Sequence, residues 1–321
     1  GVNQLTFGIY QITYWDWLMT DGKPSLTALS LSVIFLTLAA MLSALSGIGR
    51  GIRWLSNLNM ALSWLLLVVF IIFGATAFAG EMFVAGLSEY LSAIPAMSVT
   101  IWGGGNTETA RALKDWQSAW TIFYWAWWIA FTPFVGLFLA RVSKGRTIRE
   151  YVVGAILLPS LMCFAWFCVI GGTALDLELS GVAGGDILKA DLSAQLFATV
   201  ENLFSAQWVL PAATLCVVLL ITYLVTSADS AVLVINTIVS GGVSNGVRAR
   251  HIVLWSVLLG LVIITLLVVG GMDALRSAMI IGALPFSLVM LFMMCALGYA
   301  LWADTKASKR TSQAPATKPQ R

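Results

Sequence analysis

Charge is scarce in this sequence. Asp, Glu, Lys and Arg together make up 10% of its 321 residues, against about 25% in an ordinary soluble domain. So few charged side chains cannot cover a surface that faces water, which excludes the soluble globular class. Dyad alternation in roughly ten-residue pieces is also lacking, which excludes an outer-membrane barrel. There is one histidine, and the four cysteines (Cys163, Cys168, Cys216 and Cys295) sit inside apolar runs without metal-ligand spacing. Thiols in such places behave as small apolar residues, so no disulfide framework, redox pair or metal cluster is expected. With no nucleophile constellation and no phosphate-binding loop, the sequence predicts neither an enzyme nor a cofactor, and no nucleic-acid partner.

What is abundant is apolar sequence, at 59% of residues. Seven runs, at about 26–46, 57–79, 119–140, 151–173, 209–238, 252–271 and 278–302, reach the ~20 residues needed to cross a bilayer. The fold class is therefore an all-α membrane protein with about seven transmembrane helices. Residues 1–25, with Trp15, Asp16, Trp17 and Asp21, read as an outer loop. The chain opens at Gly1 in what looks like mid-loop, so the N-terminal part of a longer protein is expected to be missing. Residues 80–118 read as a short amphipathic helix at the interface, with Phe83, Leu87, Tyr90, Leu91 and Ile94 on one face, followed by an outer loop through Gly103–Asn106. The stretch 174–207 reads as another outer loop, and 304–321 as a disordered tail.

Charge asymmetry gives the orientation. The loops near 47–56, 141–150 and 241–251 and the tail hold most of the Lys and Arg, including Arg50, Arg53, Arg141, Lys144, Arg146, Arg149, Arg248 and Arg250. The alternate loops hold only Lys23, Arg111, Lys114, Lys189 and Arg276. By the positive-inside rule the C-terminus is cytoplasmic and the N-terminus outside, in a multi-pass protein of the plasma (inner) membrane.

Two stretches carry chemistry. The first, Trp120–Phe134, reads W-T-I-F-Y-W-A-W-W-I-A-F-T-P-F and contains no charge. At about 100° per residue, Trp120, Tyr124, Trp127, Trp128 and Phe131 fall within a third of the helix circumference. A group of aromatic faces can hold a quaternary ammonium, which has no hydrogen to donate and so suits a π cloud. Tryptophan also collects in interfacial belts or serves as packing, and composition alone does not choose between these uses. The second stretch is Tyr223-Leu-Val-Thr226-Ser227-Ala-Asp229-Ser230, in mid-span. An Asp there costs roughly 2.5–3.5 kcal/mol on insertion scales. Its neighbouring hydroxyls, together with backbone carbonyls, are hard oxygen ligands for a small cation. Ordinary interhelical hydrogen bonding by Ser and Thr is the alternative reading.

The run from Trp120 through Glu150 closely resembles the signature of the betaine/choline/carnitine transporter family. Ser43–Gly47, Gly51–Asn57, Gly171–Ala174 and Val225–Ser230 are similar as well. The resemblance covers nearly the whole chain up to the tail. It implies a partial leucine-transporter-type inverted-repeat fold. Residues 26–79 would be the last two helices of repeat one, 80–118 the link, and 119–303 the five helices of repeat two. It implies substrate contacts from Trp125, Trp127, Trp128 and Phe131, the last standing where many members have a further tryptophan. It implies Na⁺ ligands from Thr226, Ser227 and the Tyr223 carbonyl, with Phe134 near a second sodium. The implied partners are a quaternary-ammonium solute and the lipid bilayer, and a homotrimer is the implied assembly. Sodium-independent exchangers of the family carry a fixed basic side chain near the second span. Leu58-Asn59-Met60-Ala61 has none, so Na⁺ is the expected coupling ion.

A heptahelical receptor or retinal protein is the competing class. A retinal protein needs a lysine in its last span, and 278–302 contains none. The orientation has a direct check. A cysteine introduced by Gly145→Cys in a cysteine-free background should resist membrane-impermeant thiol reagents in intact cells and react once the membrane is opened.

Overall fold

The computed structural model describes residues 1–46, 51, 53–103, 105–240 and 249–313. Among the described residues it is an all-α protein, apart from one two-stranded ribbon, Met19–Thr20 paired antiparallel with Lys23–Pro24. Among the described residues, seven helices are long and apolar enough to cross a membrane: Leu26–Ser46, Arg53–Phe73, Thr76–Val99, Ile148–Leu179, Ala206–Val239, Ala249–Gly271 and Asp273–Lys306. This count includes Thr76–Val99. The tryptophan helix, Phe123–Val142, is a further helix of 20 residues. Gly271, at φ 57° and ψ −139°, separates the last two of the seven. A backbone there is readily adopted only without a Cβ.

The chain forms two compact units. One comprises 1–101 and 138–271, the other 102–137 and 272–321. In the first unit, Ala206–Val239 is the central element and packs against Leu26–Ser46, Arg53–Phe73 and Val2–Thr13. Hydropathy does not say which side of these helices faces inward, because they are apolar all round. Side-chain size does. Along Leu26–Ser46 the buried positions include Ala28, Ser32, Leu36, Ala40 and Ala44, while Leu31, Ile34, Phe35, Leu38 and Leu42 are exposed. Lipid tails are as apolar as leucine, so helices in a bilayer associate through close backbone approach and not through water exclusion. Ala28, Ser32, Ala40 and Ala44, small residues on the four-residue stripe that Leu36 also shares, provide that approach. Phe70, Phe197, Leu5, Val200 and Cys216 complete the core.

Several expectations are corrected. Residues 1–25 are not simply a loop: Val2–Thr13 is a helix with Leu5 and Thr6 fully buried. Its apolar residues at 2, 5, 9 and 12 have helical spacing, but the segment is short and interrupted by Asn3, Gln4 and Gly8. It ends at Tyr14 in the left-handed region, and a turn at Asp21-Gly22 follows, both residues at positive φ. The presumed short interfacial helix is instead the 24-residue Thr76–Val99. It packs on Ile148–Leu179 in the same unit, and its apolar side chains are not gathered on one face. The stretch 174–207 contains the helices Asp186–Lys189 and Gln195–Leu203. The second buries Phe197 and Val200 in the core. Glu178 accepts from the backbone N–H groups of Gly185, Ile187 and Leu188 at 2.8–2.9 Å and so holds the start of the first. The tail is helical to Gln313, and its remainder lies outside the described residues.

The size rule predicts an asymmetry. Ala40→Leu should destabilise the protein by about 1–3 kcal/mol through overpacking, while Leu42→Ala on the outer face should stay within about 0.5 kcal/mol. Thermal unfolding in detergent measures both.

Candidate functional site

In the second unit the tryptophan helix follows Glu108–Gln117 and a wide π-helical turn, Ser118–Ile122. Such turns shift the register of the side chains that follow and recur at functional sites. Beyond it the aromatic residues sort by face. Trp120 stacks on Tyr124 with ring centroids 6.0 Å apart and planes 11° from parallel. Tyr124 stacks in turn on Trp127 at 5.9 Å and 16°. The result is a ladder of three nearly parallel rings at i, i+4 and i+7. Phe123 meets Trp127 edge-on at 5.7 Å, and the Arg276 guanidinium lies over the other partner of that contact, 5.2 Å from the Phe123 ring centre. Trp128 meets Phe131 edge-on at 6.5 Å.

The expected substrate residues are therefore not brought together as one group. Trp127 belongs to the ladder, and Trp128 with Phe131 forms an adjoining pair. Trp125 stands about 160° from Trp127 but only about 60° from Trp128 by helical geometry, with no ring against it among the described residues. Yet all three tryptophans remain open, at 67% exposure for Trp125, 45% for Trp127 and 63% for Trp128. Trp120 and Tyr124, expected on the shared aromatic face but not among the substrate contacts, are members of the ladder. The helical spacing was the available signal, since both share the Trp127 face. Below the ladder, Pro133 removes the N–H that would reach the Ile129 carbonyl, and the Thr132 hydroxyl donates to the Trp128 carbonyl at 2.7 Å. Phe134 lies in this helix, and its side chain is outside the described residues.

In the first unit, two of the expected ion ligands do meet. The Thr226 hydroxyl donates to the Tyr223 carbonyl at 3.0 Å, which places two oxygens on one turn of Ala206–Val239. Ser227, one residue on, is exposed, as is Tyr223. This donor set suits a hard alkali ion: neutral hydroxyl and carbonyl oxygens, with lone pairs on Thr226 still free to ligate. Among the described residues no group of three or more His, Cys, Asp or Glu could hold a transition metal.

Asp229 takes no part in that exposed surface. It is fully buried, at 0% exposure. Its carboxylate accepts from Ser43 at 2.6 Å, across to Leu26–Ser46, and from its neighbour Ser230 at 3.1 Å. The Thr222 hydroxyl donates to the Leu219 carbonyl of its own helix at 2.9 Å and also reaches the Asn59 side-chain oxygen of Arg53–Phe73 at 3.3 Å. Neither Ser43 nor Asn59 was anticipated as a partner, because nothing local in the sequence pairs residues so far apart.

This combination of an aromatic helix and a hydroxyl-bearing span coincides with a family match. The model of the BCCT family, the betaine/carnitine/choline family transporters, matches residues 1–306. The chain belongs to this family of membrane transporters. Among its relatives, the glycine betaine transporter OpuD of Bacillus subtilis is 34% identical over 88% of this chain and 53% of its own length. The ectoine/hydroxyectoine transporter of Virgibacillus pantothenticus is 36% identical over 85% of this chain and 52% of its own length. The osmo-independent choline transporter BetT1 of Acinetobacter baylyi is 34% identical over 91% and 55%. The chain thus spans about half the length of the curated relatives it matches.

Proposed function

We propose that this chain is the part of a secondary transporter for small quaternary-ammonium or zwitterionic solutes that carries the aromatic half of the solute site and the hydroxyl half of a Na⁺ site. The observation that carries the reading is the set of open indole faces on a stretch, Trp120–Phe134, that contains no charged residue. A trimethylammonium group spreads its charge over methyl surfaces and donates no hydrogen bond, so oxygen ligands hold it poorly and π faces hold it well. Trp127 and Trp128 present such faces from adjacent groups of rings, Phe131 backs Trp128, and Trp125 flanks them. Relatives named for glycine betaine, ectoine and choline transport fit the same solute class.

Sodium is proposed as the coupling ion, bound by Thr226, Ser227 and the Tyr223 carbonyl, with Phe134 beside a second ion. A fixed cation is the alternative means of balancing such a site, and it would make the protein a sodium-independent exchanger. The described structure supports the ion reading at the relevant place: Asn59, neutral, is engaged with Thr222. Ion binding that favours the closed solute site would couple the two fluxes, since a ligand shifts a conformational equilibrium only by its differential affinity for the two states. The distribution of Lys and Arg supports a cytoplasmic C-terminus in the plasma membrane, and a homotrimer is part of the proposal by family likeness.

The test uses the complete gene product in liposomes. Glycine betaine should quench its tryptophan fluorescence, and Trp128→Leu should weaken that binding by about ten-fold or more, in line with the loss of one or two cation–π contacts. Trp125→Leu should cost less, because no second ring is seated against Trp125 among the described residues, whereas Phe131 backs Trp128. Unchanged affinity in Trp128→Leu overturns the assignment. Thr226→Ala combined with Ser227→Ala should abolish the Na⁺ dependence of uptake, and retained dependence would place the coupling ion elsewhere.

A further inference from the structure

Asp229 is a full charge-capable group buried in a membrane span, and it does not belong to the exposed oxygen surface next to it. Burial of such a group is costly, so one in the bundle interior marks a function. Its placement suggests which. Thr222 and Asp229 are seven residues apart, so they lie within about 20° of one another on the helix. Both point into the packing: the Thr222 hydroxyl is shared between the Leu219 carbonyl of its own helix at 2.9 Å and Asn59 of Arg53–Phe73 at 3.3 Å, and Asp229 is bonded to Ser43 of Leu26–Ser46 at 2.6 Å. Tyr223, Thr226 and Ser227 fall between these two ties along the chain. By helical geometry Tyr223 and Ser227 stand about 100° and 140° away from the Thr222 line, which agrees with their exposure.

We propose that the Ser43–Asp229 and Asn59–Thr222 pairs are positioning contacts that lock the rotation of Ala206–Val239, so that the Tyr223 carbonyl and the Thr226 and Ser227 hydroxyls present one fixed face to the coupling ion. The inference rests on the sodium reading given above. Apolar packing does not define a helix's rotation sharply when its partners and the lipid are equally apolar. Two polar ties to two different helices do, because each is lost if the helix turns by a fraction of a residue's angle. A hard ion needs its oxygens within tenths of an ångström, so rotational freedom of this helix appears directly as lost ion affinity. Asp229 acts through the backbone it fixes and does not itself touch the ion. The nearer pair supports the Tyr223 end and the Ser43 pair the Ser227 end, so both ends of the ligand turn are held.

The experiment compares Ser43→Ala, Thr222→Val, Asp229→Ala and Asp229→Asn in the complete gene product reconstituted in liposomes. The readouts are the Na⁺ concentration giving half-maximal uptake and, separately, glycine betaine affinity at saturating Na⁺. Ser43→Ala and Thr222→Val are each expected to raise the Na⁺ requirement about five-fold, the loss of one buried hydrogen bond, with solute affinity at saturating Na⁺ unchanged. Asp229→Ala should raise it further. Asp229→Asn, whose side-chain oxygen still accepts from Ser43, should stay close to the parent. If all variants keep the parental Na⁺ requirement while Thr226→Ala/Ser227→Ala loses Na⁺ dependence, the positioning role is overturned and the sodium site stands. The same overturning follows if solute affinity and Na⁺ requirement worsen together in Ser43→Ala, which is what a general packing defect gives. If Na⁺ dependence survives Thr226→Ala/Ser227→Ala, the sodium reading fails and this inference fails with it.

Discussion

Inside a bilayer there is no water to accept a stray hydrogen bond, and the rest of this structure depends on that constraint. Each unsatisfied backbone group in hydrocarbon costs several kcal/mol, so long helices follow. Side-chain hydroxyls obey the same rule. Thr132, Thr173, Thr214 and Thr237 all donate to the carbonyl four residues back, within their own helix. Against that background, some polar contacts that cross between helices stand out, among them Thr6 with Ser32, Ser43 with Asp229, and the reach of Thr222 to Asn59 beyond its own helix. All three join elements of the first unit, and the last two bracket the hydroxyls proposed to hold an ion.

The absence of water also changes what packing means. In a soluble domain burial follows hydrophobicity; along Leu26–Ser46 it follows mainly size, with Ala28, Ser32, Ala40 and Ala44 inside and leucines and a phenylalanine facing out. The same logic makes the aromatic helix conspicuous. Large flat rings with polar N–H edges are poor material for close helix approach, and on Phe123–Val142 they pack chiefly on one another along the helix, leaving open faces. A surface of that kind is suited to a soft, methylated cation, and the surface at Tyr223–Ser227 to a small hard one.

Much of this was legible residue by residue. Unbroken apolar runs gave the spans at 26–46, 209–238 and 252–271 close to where the helices lie, because the length needed to cross hydrocarbon is set by the bilayer. The tryptophan motif gave the family, and helical spacing gave the face shared by Trp120, Tyr124 and Trp127. Short elements were less readable. Val2–Thr13 and Gln195–Leu203 are helices because Leu5, Phe197 and Val200 find a core to fill, and segments of 12 and nine residues have little helical stability of their own. Thr76–Val99 was underestimated because Glu81, Glu89 and Pro95 interrupt its apolar character.

The sequence by itself determined the class of protein, its family and the kinds of atom available to bind a solute and an ion, since these depend on composition, run length and local spacing. Only the tertiary structure decided which of those atoms meet. It gave Asp229 a partner 186 positions away in Ser43 and set Thr222 within reach of Asn59, 163 positions away. Contacts over such separations depend on how helices stack and rotate against one another. In a chain that is apolar on every side, hydrophobic periodicity carries almost no information about that rotation.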